Sequence, residues 1–340
     1  MTAAPAPASS HNRFAFLDVC RAFAAIAVML QHAGEASGLF GLKSTDFSHG
    51  VFSFGQMGVV LFFLISGYII PKSLESAGNI KRFWVRRAFR IYPLYLFIMA
   101  ATIAIVVFLR HEPAPNPVTL LPHLIFIQSW IGLPNYVGGS WTLFIELLWY
   151  VGFAILFFLK LNRRHWLVFY APIVGILALE VLSVALQVRF PFGRFSMVAA
   201  CFMGLLWMRY NDGAVTLRFF AITLAAYAAT LLSAFYVGFE LMKAGEDNLT
   251  FQAMAITWIV GVAIFAIAYR LRFHNPVLQY LGMISYSVYL VHSPVITVLK
   301  SVGMTGHLII PAVFVLTVIV GGLTYKYIEE PFMNLSRKVA

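Results

Sequence analysis

The chain has 340 residues, of which 61% are hydrophobic and 11% charged, with 24 Lys and Arg against 13 Asp and Glu for a net charge of +11. A mean hydropathy of +0.84 excludes a soluble globular domain and points to a polytopic membrane protein. The positive charge is spread over short segments that flank apolar spans, which excludes a nucleic-acid partner.

Residues 1–13 read as a short cytoplasmic tail rich in small residues. The following apolar stretch, 14–33, is interrupted by Asp18 and Arg21 and is not followed by a small-x-small cleavage pattern, so a retained span is expected, not a signal peptide. Further apolar runs of spanning length lie at 51–70, 90–110, 141–160, 166–187, 195–209, 215–237, 250–269, 277–299 and 307–327. The fold class is therefore all-α: a membrane helix bundle of about ten transmembrane helices. No internal repeat is visible, and one membrane domain is expected over 14–331, followed by a cytoplasmic tail at 332–340.

The connecting segments alternate in basic content. Lys72, Lys81, Arg82, Arg86 and Arg87 fall in 71–89, whereas 111–140 has neither Lys nor Arg, and the alternation continues to Lys326, Arg337 and Lys338. By the positive-inside rule both termini are expected in the cytoplasm, with the protein in the cell inner (plasma) membrane. Arg189 and Arg194, between two spans on the opposite side, are the weakest fit to this pattern. Cys20 and Cys201 both sit in apolar spans without CxxC spacing, so neither a disulfide framework nor a metal site is expected.

Ionisable residues within spans are costly and are functional candidates by default. They are Asp18, Arg21, His32, Glu35, Glu146, Glu180 and His292. Arg21 and His32 are eleven residues apart; at 100° per residue both point within about 20° of one direction, about 16 Å apart along the helix. One face of the first span should thus join a guanidinium near the cytoplasm to an imidazole near the outer surface along a shared polar seam. Asp18, three residues before Arg21, reads as its neutralising partner. Glu35, one turn after His32, can orient the ring as a carboxylate does for a catalytic base. Glu180 reads as structural or pore-lining. Lys81 to Pro93 clusters basic residues, with Arg87 and Arg90 about one turn apart; the spacing suits anionic lipid at the membrane surface first and a gripped phosphate second. Trp130, Tyr136 and Trp141 suit interface anchoring, and the same rings make sugar platforms.

Six motifs in order give these residues a common setting. They are LDVCRAFAAIAVMLQH with Arg21 and His32; GQMGVVLFFLISGY from Gly55 to Tyr68; Arg87-Ala88-Phe89-Arg90 followed by Ile91, Tyr92 and Pro93; Ser140-Trp141-Thr142-Leu143 through Glu146; Ser285-Tyr286-Ser287-Val288-Tyr289-Leu290-Val291-His292; and Glu329-Glu330-Pro331. Together they resemble the acyltransferase-3 family of integral membrane O-acyltransferases from residue 13 to about 331. Thr142, where the family has Ser, is a mild departure.

The resemblance implies transfer of an acyl group, usually acetyl, from cytoplasmic acetyl-CoA to a hydroxyl of a carbohydrate or glycoconjugate at or across the membrane. No cofactor is held permanently; acyl-CoA is the donor substrate. Arg21, Arg86, Arg87 and Arg90 are expected to bind it. His32, Glu35, Glu146 and His292 are expected to form the catalytic group, and Trp130, Tyr136 and Trp141 to hold the acceptor. Some members carry a further C-terminal hydrolase-like domain; with this sequence ending at Ala340, transfer is expected to finish within the membrane domain or through a partner protein. The competing expectation is a proton-coupled transporter of a small polar or anionic solute, since intramembrane charges also mark ion pathways. The lack of repeats and of paired broken helices weighs against it.

Overall fold

The computed structural model describes residues 15–41, 43, 45–243 and 249–339. The expected tail at 1–13, residue 14 of the first expected span, and Ala340 lie outside them. Among the described residues there is no strand. Thirteen α-helices follow one another: α1 Ala15–Ser37, α2 Phe47–Gly50, α3 Phe54–Ala77, α4 Ile80–Ala104, α5 Trp141–Phe158, α6 His165–Leu186, α7 Phe192–Asn211, α8 Leu217–Tyr236, α9 Phe251–Leu271, α10 Pro276–Met283, α11 Ser285–Ser301, α12 Ile309–Thr324 and α13 Glu330–Val339. π-Helical turns at Ile105–Leu109, Val237–Leu241 and Tyr325–Glu329 lengthen α4, α8 and α12.

Several helix starts follow from local chemistry. Ser53, Asn79, Thr216, Thr250 and Asn275 each accept a hydrogen bond from a backbone N–H of the first turn, which satisfies a donor that the helix leaves unpaired. The helix α13, over the stretch expected as the C-terminal tail, places Arg337 and Lys338 in its last turn and packs on α4.

Among the described residues eight helices are long and apolar enough to cross a membrane, and α10 with α11, bent by 69°, makes a ninth if the pair is one span. This is the multi-pass bundle expected from composition. The sixth expected span, 195–209, is helical as α7 but is not among them. Its partners explain this. The helix is enclosed by protein, with buried residues running from Phe192 to Arg209 and its most extensive packing against α3, so it need not present an apolar surface to lipid.

Close backbone approach between α3 and α7 depends on two glycines. A Cβ on Gly67 would overlap the Cys201 backbone, and one on Gly204 would overlap the Leu64 carbonyl; small residues at a crossing let two membrane helices meet with full dispersion contact. At the end of the bundle that carries most Lys and Arg, here called the basic end, Arg209 pairs with Glu75 and donates to the Asn162 carbonyl at 3.2 Å, while Asn162 Nδ2 donates to Glu75 at 2.6 Å. That knot ties α7 and α3 to the α5–α6 connection.

At the opposite end, the long 111–140 connection folds back over the bundle in two short 3₁₀ turns, Pro117–Ile125 and Gln128–Trp130. It is held by polar pairs: His123 Nε2 with the Pro134 carbonyl at 3.1 Å, and Gln128 with Asn135 at 3.0 Å and Ser140 at 2.6 Å. These bonds set Trp130 and the start of α5 over the bundle mouth.

Candidate active site

The first helix, α1, lies between α3 and the α10–α12 group, and its polar face opens onto two cavities. Toward the basic end a narrow cavity of about 110 Å³ is lined by Arg21, Arg87, Arg90, Ser66, Glu146, Tyr150, Tyr286 and Tyr289 among others. Toward the other end a cavity of about 220 Å³ is lined by Gln31, His32, Glu35, His49, Gln56, Trp141 and Tyr289. Val59 and Tyr289 line both. The expected single polar seam from Arg21 to His32 is therefore corrected: the helical spacing does place both groups on cavity walls, but Val59 from α3 and Tyr289 from α11 stand between the two spaces.

In the narrower cavity each guanidinium has a distinct setting. Arg21 is paired with Asp18 at 2.6 Å. Arg90 lies 3.4 Å from Glu329, whose side chain is fully buried and also accepts from Ser287 Oγ at 2.7 Å. Arg87 donates to Ser73 Oγ at 3.3 Å and lies over the rings of Phe83 and Tyr150, and it has no carboxylate partner among the described residues. Arg87 is thus the guanidinium whose charge is least compensated, and the one best able to take an anion. Arg86, expected in this group, does not line the cavity. Successive residues on a helix point about 100° apart, so Arg86 and Arg87 cannot share a face.

Glu146 belongs here too. It accepts from Ser66 Oγ at 3.3 Å and from the Tyr150 hydroxyl. The expected grouping of His32, Glu35, Glu146 and His292 is split accordingly: Glu146 stands five residues past Trp141 on α5, about 140° round the helix, and lines the cavity of the arginines while Trp141 lines that of His32.

The other three do come together. His32 Nδ1 is 2.9 Å from Glu35 Oε2, and Glu35 Oε1 accepts from Gln31 Nε2 at 2.7 Å. The His292 ring from α11 stacks on His32 with centroids 5.2 Å apart and planes 15° apart. His292 Nδ1 meets the Tyr289 carbonyl at 2.5 Å. Both Nδ1 atoms thus face oxygen acceptors, which selects the Nδ1–H tautomer and leaves each Nε2 with its lone pair. A carboxylate-oriented imidazole of this kind is the arrangement of a general base.

The wall between the cavities is itself polar. The Tyr289 hydroxyl donates to the Gly139 carbonyl at 3.1 Å and lies 3.1 Å from Thr142 Oγ1. Gly139 has φ +75°, and a Cβ there would run into the Tyr289 ring; only glycine allows this conformation and this approach together.

A third cavity, about 550 Å³, adjoins the imidazoles through the shared residues Gln56, Trp141 and Leu249 and is lined as well by Arg189, Arg194, Phe239 and Met254. Of the expected acceptor residues, Trp141 lines both spaces, Trp130 lies under the Arg194 guanidinium, and Tyr136 stacks on His123 away from either. Residues to which the sequence reading gave no site role are Tyr150, Ser66, Tyr286, Tyr289 and Glu329 on the arginine side, the last four within its motifs, and Arg194 on the imidazole side. The poor fit of Arg189 and Arg194 to the charge alternation is the signal that pointed to the last. Glu180, expected to be structural or pore-lining, accepts from Ser233 Oγ at 3.1 Å and lines none of these cavities.

Comparison with known proteins agrees with the motif order. The acyltransferase-3 profile, described as an acyltransferase domain, matches residues 14–326. A Staphylococcus aureus protein named "Putative O-acetyltransferase" is 24% identical over 324 residues, covering 82% of this chain and 52% of its own length. "Acyltransferase MdmB" of Streptomyces mycarofaciens is 30% identical over 159 residues, 43% of this chain and 40% of its own length. "Putative peptidoglycan O-acetyltransferase YrhL" of Bacillus subtilis is 23% identical over 388 aligned positions, 97% of this chain and 57% of its own length. The chain thus spans about half the length of the curated relatives it matches. No solved structure matches it. With the profile covering almost all of the bundle that carries the arginines and imidazoles, the chain belongs to the acyltransferase-3 family.

Proposed function

We propose that the chain transfers an acyl group, acetyl in the simplest case, from acyl-CoA entering at the basic end to a hydroxyl of a carbohydrate or glycoconjugate held at the opposite end. The observation that carries this reading is the placement of a carboxylate-held imidazole, His32 on Glu35, in a cavity that shares only a Val59–Tyr289 wall with a guanidinium-lined one. The positive-inside rule makes the basic end cytoplasmic, where acyl-CoA is found. Its phosphates meet Arg87 and the rim, and the pantetheine arm enters the cavity that Arg87 lines. The acyl thioester then lies against Thr142 and Tyr289, and transfer requires the Tyr289 wall to yield.

His32 Nε2 takes the proton from the acceptor hydroxyl as its oxygen attacks the thioester carbonyl. The carbon–sulfur bond breaks, and the CoA thiolate leaves with the proton given back by the His32 imidazolium, which restores the neutral base. Glu35 holds the ring and stabilises the imidazolium formed in passing. Base assistance of this type is worth roughly 10²–10⁴ in rate.

The test uses the purified full chain in lipid nanodiscs. CoA thiol release from acetyl-CoA is followed in the presence of a surface-glycan fraction, with mass spectrometry of the glycan for an acetyl-sized increment. His32→Ala is expected to bind acetyl-CoA and lose transfer by at least about a hundredfold. Transfer near the wild-type rate in that variant overturns the assignment.

A further inference from the structure

We propose that the cavity beside the imidazoles is a subsite for an anionic acceptor, a saccharide bearing a carboxylate or phosphate, with Arg194 as the residue that reads the charge. The inference rests on the acyl-transfer reading for the identity of the neighbouring imidazoles, and on separate observations for the charge.

Arg194 and Arg189 are the arginines that fit the charge alternation least well. The topology therefore does not account for them. Arg189 is engaged in holding the fold together, since its Nε donates to the Gly238 carbonyl at 3.1 Å and its guanidinium lies over Phe239 at 5.6 Å. Arg194 makes no tie of that kind. Its guanidinium sits 4.5 Å from the Trp130 centroid and 6.0 Å from that of Trp141, it lines the 550 Å³ cavity, and among the described residues no carboxylate or other oxygen accepts from it. A ring face holds a guanidinium in place through its quadrupole but leaves the N–H donors in the guanidinium plane unused. Planar forked donors match a carboxylate or a phosphate bidentately. The Trp141 indole, which lines the cavity, supplies apolar surface on which a sugar ring rests.

Size and position agree with this. The cavity falls in the range of ligand sites, about 300–1,000 Å³, and it shares Gln56, Trp141 and Leu249 with the neighbouring cavity that His32 lines. A saccharide anchored by its anionic group on Arg194 has its remaining hydroxyls on the side of that neighbouring cavity. The same contact accounts for selection: the hydroxyls of a neutral sugar accept from the guanidinium but leave its charge uncompensated, whereas a carboxylate or phosphate pairs with it by charge-assisted, bidentate hydrogen bonds.

The experiment titrates the full chain in neutral-lipid nanodiscs at low salt with methyl glucuronide, methyl glucoside 6-phosphate and neutral methyl glucoside. Binding is read from tryptophan fluorescence and by saturation-transfer NMR on the sugar. At least one anionic sugar is expected to bind about tenfold more tightly than the neutral one, and the tighter of the two identifies carboxylate or phosphate. Arg194→Gln is expected to abolish that preference, and Arg194→Lys, which restores charge without the fork, to recover part of it. Equal affinities for all three sugars, no saturable binding of any, or a preference that survives in Arg194→Gln overturns the proposal. Acetyl-CoA binding and thiol release are measured on the same wild-type sample. An anionic preference without acetyl-CoA turnover faults the acyl-transfer reading alone, and turnover without the preference faults only the subsite.

Discussion

Replacing Glu35 by Gln removes the charge and one acceptor while keeping the shape of the side chain. The carboxylate makes two hydrogen bonds, one with His32 Nδ1 at 2.9 Å and one from Gln31 Nε2 at 2.7 Å, and an amide of the same shape keeps a single oxygen to share between them. As His32 takes a proton from the acceptor, its ring becomes cationic and the interaction with Glu35 strengthens from a neutral hydrogen bond to a charge-assisted one. Hydrogen bonds to charged groups contribute about 1.5–3 kcal/mol, which at about 1.4 kcal/mol per decade is roughly 10- to 150-fold in rate. The His32 side chain is 43% exposed to its cavity, so solvent screens part of this and the lower portion, about 10- to 30-fold, is expected. The loss should fall on kcat, with acetyl-CoA affinity unchanged, because Glu35 lines a different cavity from the arginines. Thiol release by purified Glu35→Gln protein, fitted for kcat and for acetyl-CoA dependence, measures both. A kcat within twofold of wild type, or a loss shared equally with acetyl-CoA affinity, refutes the orienting role.

The arginines of the narrower cavity are expected to separate binding from stability. Arg87→Gln should weaken acetyl-CoA about tenfold, with a shallower salt dependence and an unchanged Tm, whereas Arg90→Ala strands the buried Glu329 and should cost about 3–5 kcal/mol of stability; equilibrium binding and thermal unfolding of the two variants distinguish these outcomes. In the 111–140 connection, burial holds the His123 imidazole below its ordinary range, and its Nδ1 has no acceptor for a second proton. The folded state therefore binds fewer protons than the unfolded one: this stability is complete above about pH 6.5 and declines as pH falls, by at most about 1.4 kcal/mol per pH unit. Thermal unfolding of wild type and His123→Gln between neutral and mildly acidic pH tests this, with the wild type expected to lose more; parallel curves contradict it.

Within a single helix, periodicity and apolar length were enough. Ten apolar runs, the Asp18–Arg21 pair three residues apart, the His32–Glu35 pair with the same spacing, and the shared face of Arg21 and His32 all follow from 3.6 residues per turn and from the cost of charge in hydrocarbon. Composition alone established the membrane bundle for the same reason: no soluble chain carries that much apolar surface. Contacts between helices were not legible. In a membrane every span is apolar whether it faces lipid or protein, so hydropathy does not say which helices touch. The stacking of His292 on His32, the turning of Glu146 toward the arginines, the burial of Glu329 against Arg90 and the enclosure of α7 all depend on that choice of neighbours. So does the Tyr289 wall, which stands where α11 crosses Gly139 and Thr142, and so does the seat of Arg194 between two indoles contributed by a connection and a helix start. One helix's geometry sets which of its own groups share a face; only packing against the others decides which cavity that face meets.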